Sequence, residues 1–483
     1  MVAEPHRLHI VMFPFLAHGH MIPTLDIARL FAARNVEVSI ITTPVNAPIF
    51  TKAIETGNPL INVELFKFPA KEAGLPEGCE NAEIVIRQPE LIPQFFKATH
   101  LFQQQLEEYL DRVRPDCLVA DMFYPWATDS ATKFNLPRLV FHGISCFALC
   151  AQESVSRYEP YRNVSSDDEP FALPGLPHEI KLIRSQISPD SRGDKENSSK
   201  TTTELINDSE VESFGVIMNS FYELEPEYAE FYAKDMGRKA WHIGPVSLCN
   251  RSNDQKALRG KRASIDDHEC LAWLDSKEPN SVVYVCFGST SVSIAPQLRE
   301  IAMALEQSGK NFIWAVRDGG NGKNEEWLPL GFEERTKGKG LIIRGWAPQV
   351  LILDHKAVGA FVTHCGWNST LEGISAGVPM VTWPLFAEQF FNEKLVTNVL
   401  RTGVSIGVKK WNRTPSVEDL ITREAIEAAI REIMEGEKAE EMRLRAKKLK
   451  EAARNAVEEG GSSYNHLSTL IDELRKYQTQ KRN

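Results

Sequence analysis

Residues 357–373, AVGAFVTHCGWNSTLEG, join a short apolar run to a dense set of polar and small residues. The run AVGAFV has the length and apolarity of a strand buried on both faces, which is typical of parallel sheets. The segment TLEGISAG that follows has the pattern of a helix. A buried strand that leads directly into a helix predicts a parallel sheet covered by helices.

The same alternation of strand and helix extends outward through the whole chain. In the second half, further strand-like runs lie at 281–289, 311–316, 341–346, 359–364 and 379–384. In the first half, such runs lie at 8–15, 36–43, 117–121 and 138–143. Helical patterns such as TLDIARLFAARN and PQFFKATHLFQQQLEEYLDRV separate them. The chain is therefore predicted to be an α/β protein with two Rossmann-like domains.

A polar, weakly periodic stretch at 247–267 separates the two halves. We predict an N-terminal domain over 1–246, an interdomain linker over 247–267 and a C-terminal domain over 268–460. Residues 461–483 are expected to form a last helix that packs back on the N-terminal domain. A second polar stretch, at 158–200, is a long excursion in the first domain, and excursions of that length are often functional.

Composition and charge narrow the class of function. The chain has 483 residues, of which 42% are hydrophobic and 25% charged, and its net charge is -10. This balance is typical of a globular protein and favours neither nucleic acid nor a membrane surface as partner. Apolar runs fall short of the roughly 18 residues of a membrane span, and the N-terminal residues lack a signal-peptide pattern. With eight cysteines and no CxxC pair, we expect a cytoplasmic protein with reduced thiols.

The polar residues of 363–373 follow a strand end, where ligands bind in open α/β sheets. A helix N-terminus there, together with His364, Asn368 and Ser369, offers hydrogen-bond donors to a phosphate or diphosphate. The alternative is a capping box, in which Ser369 and Glu372 merely start the helix. The chain has neither GxGxxG nor GxxxxGK[ST], so a dinucleotide fingerprint or a P-loop is not supported.

Neighbouring strand ends carry complementary side chains. Trp346 ends one predicted strand, and its aromatic face can stack on a base. Glu388 and Gln389 follow another and can hydrogen-bond the hydroxyls of a sugar. Together with the phosphate cradle, these side chains predict a site for a nucleotide-sugar.

Residues 346–389, which begin WAPQ and end AEQ, closely resemble the 44-residue signature box of plant UDP-dependent glycosyltransferases, without gaps. The resemblance covers essentially the full chain and points to the branch that acts on flavonoids, other phenols and triterpenoids. It implies a GT-B fold, in which two Rossmann-like domains face a central cleft. It also implies a monomeric enzyme that binds a UDP-sugar and a small-molecule acceptor and requires no metal or other cofactor.

The resemblance assigns roles to the matching residues of the donor site. Those assigned to the nucleoside are Trp346, Ala347, Gln349 and Glu372, of which Trp346 would stack on uracil and Glu372 would hold the ribose hydroxyls. Those assigned to the diphosphate are Ser289, His364, Asn368 and Ser369. Those assigned to the sugar are Trp367, Glu388 and Gln389. Glu388 departs from the family pattern, which often has the shorter Asp at this position.

The acceptor hydroxyl needs a base, and the first strand end supplies histidines in FPFLAHGHMIPTLDIA, residues 13–28. His20 lies at a predicted loop-to-helix junction before Pro23, and a histidine pKa near 6.5 suits a base near neutral pH. His18 is a competitor, and an H-x-H metal pair would need a third ligand. The family pattern identifies His20 as the base and Asp121 as its acidic partner, although Asp121 could instead cap the following helix.

The acceptor pocket is expected in the first domain and the long polar excursion. Apolar groups near strand ends suit a flat aromatic or terpenoid body, although each could equally belong to the core. The candidates are Phe13, Phe15, Phe123, Tyr124, Phe141, His142 and Phe147.

The leading hypothesis is inverting transfer of glucose from UDP-glucose to a hydroxyl of a lipophilic plant metabolite. Glucose is expected because the box ends in Gln389, where galactose-specific family members often carry histidine. A uronic acid would need a cation, which the first domain could supply. The competing classes are an NAD-dependent dehydrogenase, which would need the missing glycine fingerprint, and a non-catalytic sugar-nucleotide binder, which would not need a His20/Asp121 pair.

Overall fold

The computed structural model describes residues 7–54, 59–192, 202–292, 294–317 and 327–482. Its strands are β1 His9–Phe13, β2 Glu37–Thr42, β3 Ile61–Leu65, β4 Cys117–Asp121, β5 Arg138–Phe141, β6 Pro170–Ala172, β7 Lys181–Ile183, β8 Gly215–Met218, β9 Ala240–His242, β10 Val282–Cys286, β11 Asn311–Val316, β12 Gly340–Arg344, β13 Val358–Thr363, β14 Met380–Thr382 and β15 Gly403–Ser405.

The α-helices cover both sheets and form the connections between parallel strands. They are α1 His18–Ala32, α2 Pro48–Ile54, α3 Ala70–Ala73, α4 Ala82–Val85, α5 Ile92–His100, α6 Phe102–Val113, α7 Ala127–Lys133, α8 Cys146–Tyr158, α9 Thr202–Val211, α10 Pro226–Lys234, α11 Asn253–Ala257, α12 Asp267–Asp275, α13 Ala295–Ser308, α14 Phe332–Arg335, α15 Gln349–Leu353, α16 Trp367–Ala376, α17 Gln389–Lys394, α18 Arg423–Glu435, α19 Ala439–Val457 and α20 Ser462–Arg482.

Two parallel sheets organise the chain, which confirms the predicted α/β class. The first has the strand order β3-β2-β1-β4-β5-β8-β9 and the second β12-β11-β10-β13-β14-β15. In each sheet the chain builds outward in one direction from the first strand, β1 or β10, and then crosses to its other side. Such a switch point leaves a crevice beyond the carboxyl ends of the strands, where ligands bind in this architecture.

The central strands are apolar along their whole length because both of their faces are covered. On β10, Val282 and Tyr284 belong to one hydrophobic cluster, whereas Val283 and Val285 belong to another on the opposite face. Successive side chains of a strand point to opposite faces, so this division is what a doubly covered sheet requires.

The strands that were not predicted from the sequence are short. Strands β3, β9 and β15 lie at sheet edges, β8 lies next to an edge, and β6 pairs with β7 in a separate antiparallel hairpin. Such strands have three to five residues, too few for a clear period. The single helical pattern expected at 93–113 is two helices, α5 and α6, which meet at Leu101.

The last helix, α20, lies against the first sheet domain. The Ser463 hydroxyl donates to the Gly244 carbonyl at 2.5 Å, and the Gln478 amide donates to the Asp116 carbonyl at 2.7 Å. The numerical boundaries of the domains stay predictions. In the part of the chain that the structure describes, no helix is both long and apolar enough to span a membrane.

Candidate active site

A cavity of about 540 Å³ lies at the carboxyl ends of both sheets. The segments that follow β1, β4 and β5 line it from the first domain, and those that follow β10 to β14 line it from the second. Because carboxyl ends of parallel strands share one edge of a sheet, residues distant in sequence meet here. The cavity therefore gathers the side chains that the sequence singled out at strand ends.

His20 and Asp121 form a hydrogen-bonded pair on the first-domain side. The His20 Nδ1 atom lies 2.7 Å from the Asp121 Oδ2 atom, and the carboxylate is fully buried. The other carboxylate oxygen, Oδ1, accepts from the backbone N–H of Phe123 at 3.1 Å. Strands β1 and β4 are neighbours, which explains how residues 101 apart in sequence meet. With Nδ1 directed at Asp121, His20 has Nε2 left to accept a proton.

Opposing effects set the pKa of His20. Burial lowers it, but the charge of Asp121 and its hydrogen bond, with further help from Glu388 and Glu83, raise it more, so that the net pKa lies above 6.5. Asp121 therefore stabilises an imidazolium at the position where a base would form one.

Helix α1 begins earlier than the sequence predicted. It starts at His18, so His20 belongs to its first turn and Pro23 lies inside it, rather than at a junction. Proline has no N–H, so Pro23 leaves the carbonyl of Gly19 without its helical donor. The side-chain amide of Asn368 donates to that carbonyl at 2.6 Å. The two domains are thus joined directly beside the His20–Asp121 pair.

His18 is engaged elsewhere. Its backbone N–H donates to Glu83 Oε1 at 2.8 Å, and its Nδ1 atom lies 2.5 Å from the same oxygen. Burial raises the pKa of Glu83, but its contacts with His18 and the hydroxyl of Ser289 outweigh burial and leave it lowered. Across the described ranges, no cluster of three or more His, Cys, Asp and Glu side chains is arranged to hold a metal.

The residues predicted to bind the nucleoside converge at the start of α15 and α16. Trp346 and Ala347 follow β12, and both line the cavity. The Gln349 amide donates to Glu372 Oε2 at 2.7 Å and to the Ser369 hydroxyl at 3.0 Å. These contacts orient the Glu372 carboxylate toward the cavity that all three residues line.

The capping-box alternative is wrong. Helix α16 begins at Trp367 after Gly366, so Ser369 lies inside the first turn rather than at the N-cap. The N-cap residue, Gly366, has no side chain with which to cap the helix. The Glu388 carboxylate accepts from the backbone N–H of Trp367, so the following N–H groups of the first turn are those that an anion would use, as in phosphate-binding helices.

His364 is wedged between two glycines. A Cβ at Gly288 or Gly366 would lie 2.4 Å or 2.5 Å from its ring, so neither position admits a side chain without a shift. Burial lowers the pKa of His364 to about 4. The ring is therefore neutral near pH 7 and contributes a hydrogen-bond donor rather than a charge. Ser289 directly follows Gly288, and its hydroxyl donates to Glu83 Oε1 at 3.0 Å.

Contacts within the protein already use some of the hydrogen-bonding groups of Gln389 and Glu388, residues predicted to bind the sugar. The Gln389 Oε1 atom accepts from the backbone N–H groups of Leu385 and Phe386 at 2.8 and 3.0 Å. A glutamine amide can in general both donate to and accept from a sugar, but here only the NH₂ group of Gln389 is left, as a donor. Glu388 Oε1 accepts from the Asn392 amide at 3.2 Å, and Glu388 lines the cavity as an acceptor.

Trp367 is held by the opposite domain. Its indole N–H donates to the carbonyl of Asn219 at 2.8 Å, and the residue is 2% exposed. The indole N–H is therefore committed to a contact between the domains. A contact between Trp367 and a sugar would involve other atoms of this residue.

An aromatic pocket lies next to His20. Phe15 and Phe123 have ring centroids 5.5 and 5.6 Å from that of His20. Phe95 and Phe96 of α5 complete the wall, and sequence reasoning missed them because it considered strand ends and not helix faces. The other predicted acceptor residues lie in the core, namely Phe13, Tyr124, Phe141, His142 and Phe147.

Several charged residues of this cavity were not predicted from the sequence. Arg259 comes from the stretch assigned as a linker, and its guanidinium donates to Glu372 Oε1 at 2.5 Å. Arg87, Lys261 and Arg317 also line the cavity. The basic run LRGKR, residues 258–262, could have indicated some of these cations. The polar composition of the stretch instead favours a linker exposed to solvent.

Known proteins resemble this chain over nearly its whole length. The family model described as UDP-glucoronosyl and UDP-glucosyl transferase matches residues 208–450. The scopoletin glucosyltransferase of Nicotiana tabacum is 58% identical over 474 residues, which are 98% of each chain. The anthocyanin 3'-O-beta-glucosyltransferase of Gentiana triflora is 53% identical over 478 residues, or 98% of this chain and 99% of that protein.

Solved structures show the same architecture. The crystal structure of Glycyrrhiza uralensis UGT73P12 with glycyrrhetinic acid 3-O-monoglucuronide has a TM-score of 0.92 at 43% identity, covering 99% of this chain and 98% of that one. Arabidopsis thaliana UGT89C1 with UDP-L-rhamnose has a TM-score of 0.76 at 30% identity, covering 98% of this chain and 100% of that one. The expected GT-B fold is thereby confirmed.

Proposed function

We propose a specific reaction for this chain, which belongs to the family of plant UDP-dependent glycosyltransferases and is an enzyme of that class. A glucosyl group passes from UDP-glucose to a hydroxyl of a lipophilic phenol, flavonoid or triterpenoid, with inversion at the anomeric carbon. The observation that carries the proposal is the His20–Asp121 pair, which lies between an aromatic pocket and the crevice of the second sheet.

At the UDP-sugar site, uncharged hydrogen-bond donors stabilise the negative charge of the diphosphate. The N–H groups in the first turn of α16 and the side chains of Asn368 and Ser369 donate to its oxygens, and the Ser289 hydroxyl joins them when it turns away from Glu83. His364 adds a neutral imidazole N–H because burial keeps its pKa low. Fixed donors hold the charge that develops on UDP as it leaves, so we propose that the reaction needs no metal.

On the acceptor side, His20 acts as the general base. Its Nε2 takes the hydroxyl proton while the hydroxyl oxygen attacks the anomeric carbon from the face opposite UDP. The bond between that carbon and the β-phosphate oxygen breaks, and its electron pair leaves with UDP. Asp121 stabilises the resulting imidazolium, which afterwards releases its proton to solvent.

The contacts of two carboxylates near His20 support the proposal of inversion. Asp121 lies behind the imidazole of His20, and Glu83 is bound to His18 and Ser289. Both carboxylates are thus engaged within the protein, and Glu388 is assigned to a sugar hydroxyl, so a single displacement is the simplest course.

Glucose is proposed because a donor and an acceptor stand side by side for adjacent sugar hydroxyls. The NH₂ group of Gln389 donates, and the carboxylate of Glu388 accepts. UDP-glucuronate is the rival donor, because the cations Arg87, Lys261 and Arg317 line the same cavity and could pair with a uronic carboxylate. We also propose that the enzyme is a cytoplasmic monomer.

The test is competition between donors. The purified chain is incubated with UDP-glucose, UDP-galactose and UDP-glucuronate at equal concentration and with one acceptor at a time, such as scopoletin, a flavonol or a triterpenoid. Mass spectrometry identifies the transferred group, and the His20→Ala variant serves as control. Predominant hexuronide or galactoside would overturn the choice of glucose, and absence of transfer to every acceptor would overturn the proposed acceptor class.

A further inference from the structure

The linker contributes a buried cation that joins the two domains. Arg259 donates from Nε to Asp26 Oδ2 at 2.7 Å and from Nη1 to Glu372 Oε1 at 2.5 Å. Asp26 belongs to α1, the helix that carries His20, whereas Glu372 belongs to α16. The Arg259 side chain is 9% exposed, and the two carboxylate side chains are 1% and 5% exposed.

The same segment also holds Trp346. The backbone N–H of Trp346 donates to the Ser264 hydroxyl at 3.0 Å, and the backbone N–H of Ser264 donates to the Trp346 carbonyl at 2.8 Å. Gly260 packs against the indole so closely that a Cβ there would lie 2.4 Å from the ring. Residues 259–264 therefore touch both groups that the family resemblance assigns to uridine, Trp346 and Glu372.

The contacts of Glu372 leave room for a diol. Its Oε1 accepts from Arg259 and its Oε2 accepts from Gln349. A carboxylate has about four acceptor positions, so two remain for neighbouring hydroxyls. A planar guanidinium that bonds two carboxylates at once also fixes their orientation, which a single ammonium group cannot do as well.

We propose that residues 259–264 are part of the nucleoside subsite and that Arg259 is a positioning residue that orients Glu372 for the ribose hydroxyls. The inference rests on the proposed function, in which UDP-glucose is the donor, and on the role of Glu372 as ribose ligand that the family resemblance implies. Through Asp26, the same guanidinium ties the ribose-binding carboxylate to the helix of the base. Arg259 thereby sets the position of the nucleoside relative to His20.

The experiment measures discrimination between UDP and 2′-deoxy-UDP by titration calorimetry. We expect the parent to prefer UDP by about tenfold or more, the effect of one hydrogen bond to a charged acceptor. In Arg259→Met this preference should fall to within about threefold of unity, because Glu372 loses its orientation. The preference of Arg259→Lys should lie between those of the parent and Arg259→Met, because an ammonium keeps the charge but lacks the planar, two-pronged set of donors of a guanidinium.

A further variant separates the orientation of Glu372 from general effects on the linker. Lys256→Met removes another linker cation, one that pairs with Asp354 at 2.6 Å, and should leave the preference for UDP unchanged.

The outcomes distinguish the inference from the function on which it rests. If Arg259→Met keeps the parental preference and only melts at lower temperature, Arg259 is an interdomain tie and the inference is wrong. If the parent itself binds both nucleotides equally, the ribose role of Glu372 fails and the inference falls with it. Should Arg259→Met not fold, the preference shown by Arg259→Lys decides, and a parental value there overturns the inference.

Discussion

Replacing Asp121 by Asn tests the pair on which the proposed chemistry depends. In the parent, Oδ2 faces His20 Nδ1 at 2.7 Å and Oδ1 accepts from the Phe123 N–H at 3.1 Å. An asparagine has one oxygen and one NH₂ group, so it cannot accept at both positions. Either the Phe123 N–H loses its acceptor, or the imidazole faces an NH₂ group and takes the wrong tautomer.

The expected loss of activity follows from the energy of the hydrogen bond between Asp121 and His20. A hydrogen bond to a charged group contributes about 1.5–3 kcal/mol. Since about 1.4 kcal/mol corresponds to a factor of ten in rate, we expect kcat/KM to fall about 10- to 150-fold. The affinity for UDP should be unchanged, because the donor site belongs to the other sheet.

The pH profile gives a second, independent sign. His20 must be neutral to accept a proton, so kcat/KM falls as pH drops below its pKa. Burial lowers that pKa, and Asp121 is the largest effect that raises it. Without the charge of Asp121 the pKa of His20 falls, so the acid limb of Asp121→Asn should move to lower pH. The ratio of parental to variant kcat/KM should therefore be smaller below the parental pKa than above it.

The assay is initial-rate turnover of UDP-glucose with a weakly acidic alcohol across pH, with thermal melting and UDP titration in parallel. An alcohol is required because an acidic phenol can ionise without a base. Unchanged turnover and an unmoved acid limb, accompanied by a lower melting temperature, would show that Asp121 only supports the fold, and the proposed mechanism would then be refuted.

The remaining predictions concern the base, the ribose and the product. His20→Ala should lower turnover about 10²–10⁴-fold while UDP binding survives; near-parental turnover on an alcohol would remove His20 from its role. Glu372→Ala should weaken UDP and UDP-glucose alike by about 1–3 kcal/mol in calorimetry; equal affinity with a lower melting temperature would leave Glu372 a structural role. Proton NMR should show a β-linked glucoside, and an α-linked product would contradict single displacement.

Much of the candidate site follows from short sequence patterns. The strand before His364, the glycines beside it and the helix after it are set by local composition, and the signature box identifies the family. Strand ends at Trp346 and Asp121 could also be placed, because buried parallel strands read as uninterrupted apolar runs. The start of α1 was less predictable, since Pro23 suggested a boundary where Asn368 supplies the donor that a helix interior lacks.

Other features depend on which segments meet in space. Sequence pattern leaves open whether a glutamine amide donates or accepts, and the oxygen of Gln389 is used by two backbone N–H groups of its own turn. Phe95 and Phe96 read as an ordinary amphipathic helix, yet their helix lies over the crevice. Arg259 read as part of a solvated linker, yet it is buried between carboxylates of both domains.

The sequence by itself determined the fold class, the family and the residues at strand ends, because local periodicity and contiguous motifs encode them. The tertiary structure decided which of those residues face one another. His20 and Asp121 meet across 101 residues, and Arg259 and Glu372 across 113. Such pairs depend on strand order and on the approach of two domains, and the free energy of those contacts arises only when distant segments pack together and exclude water.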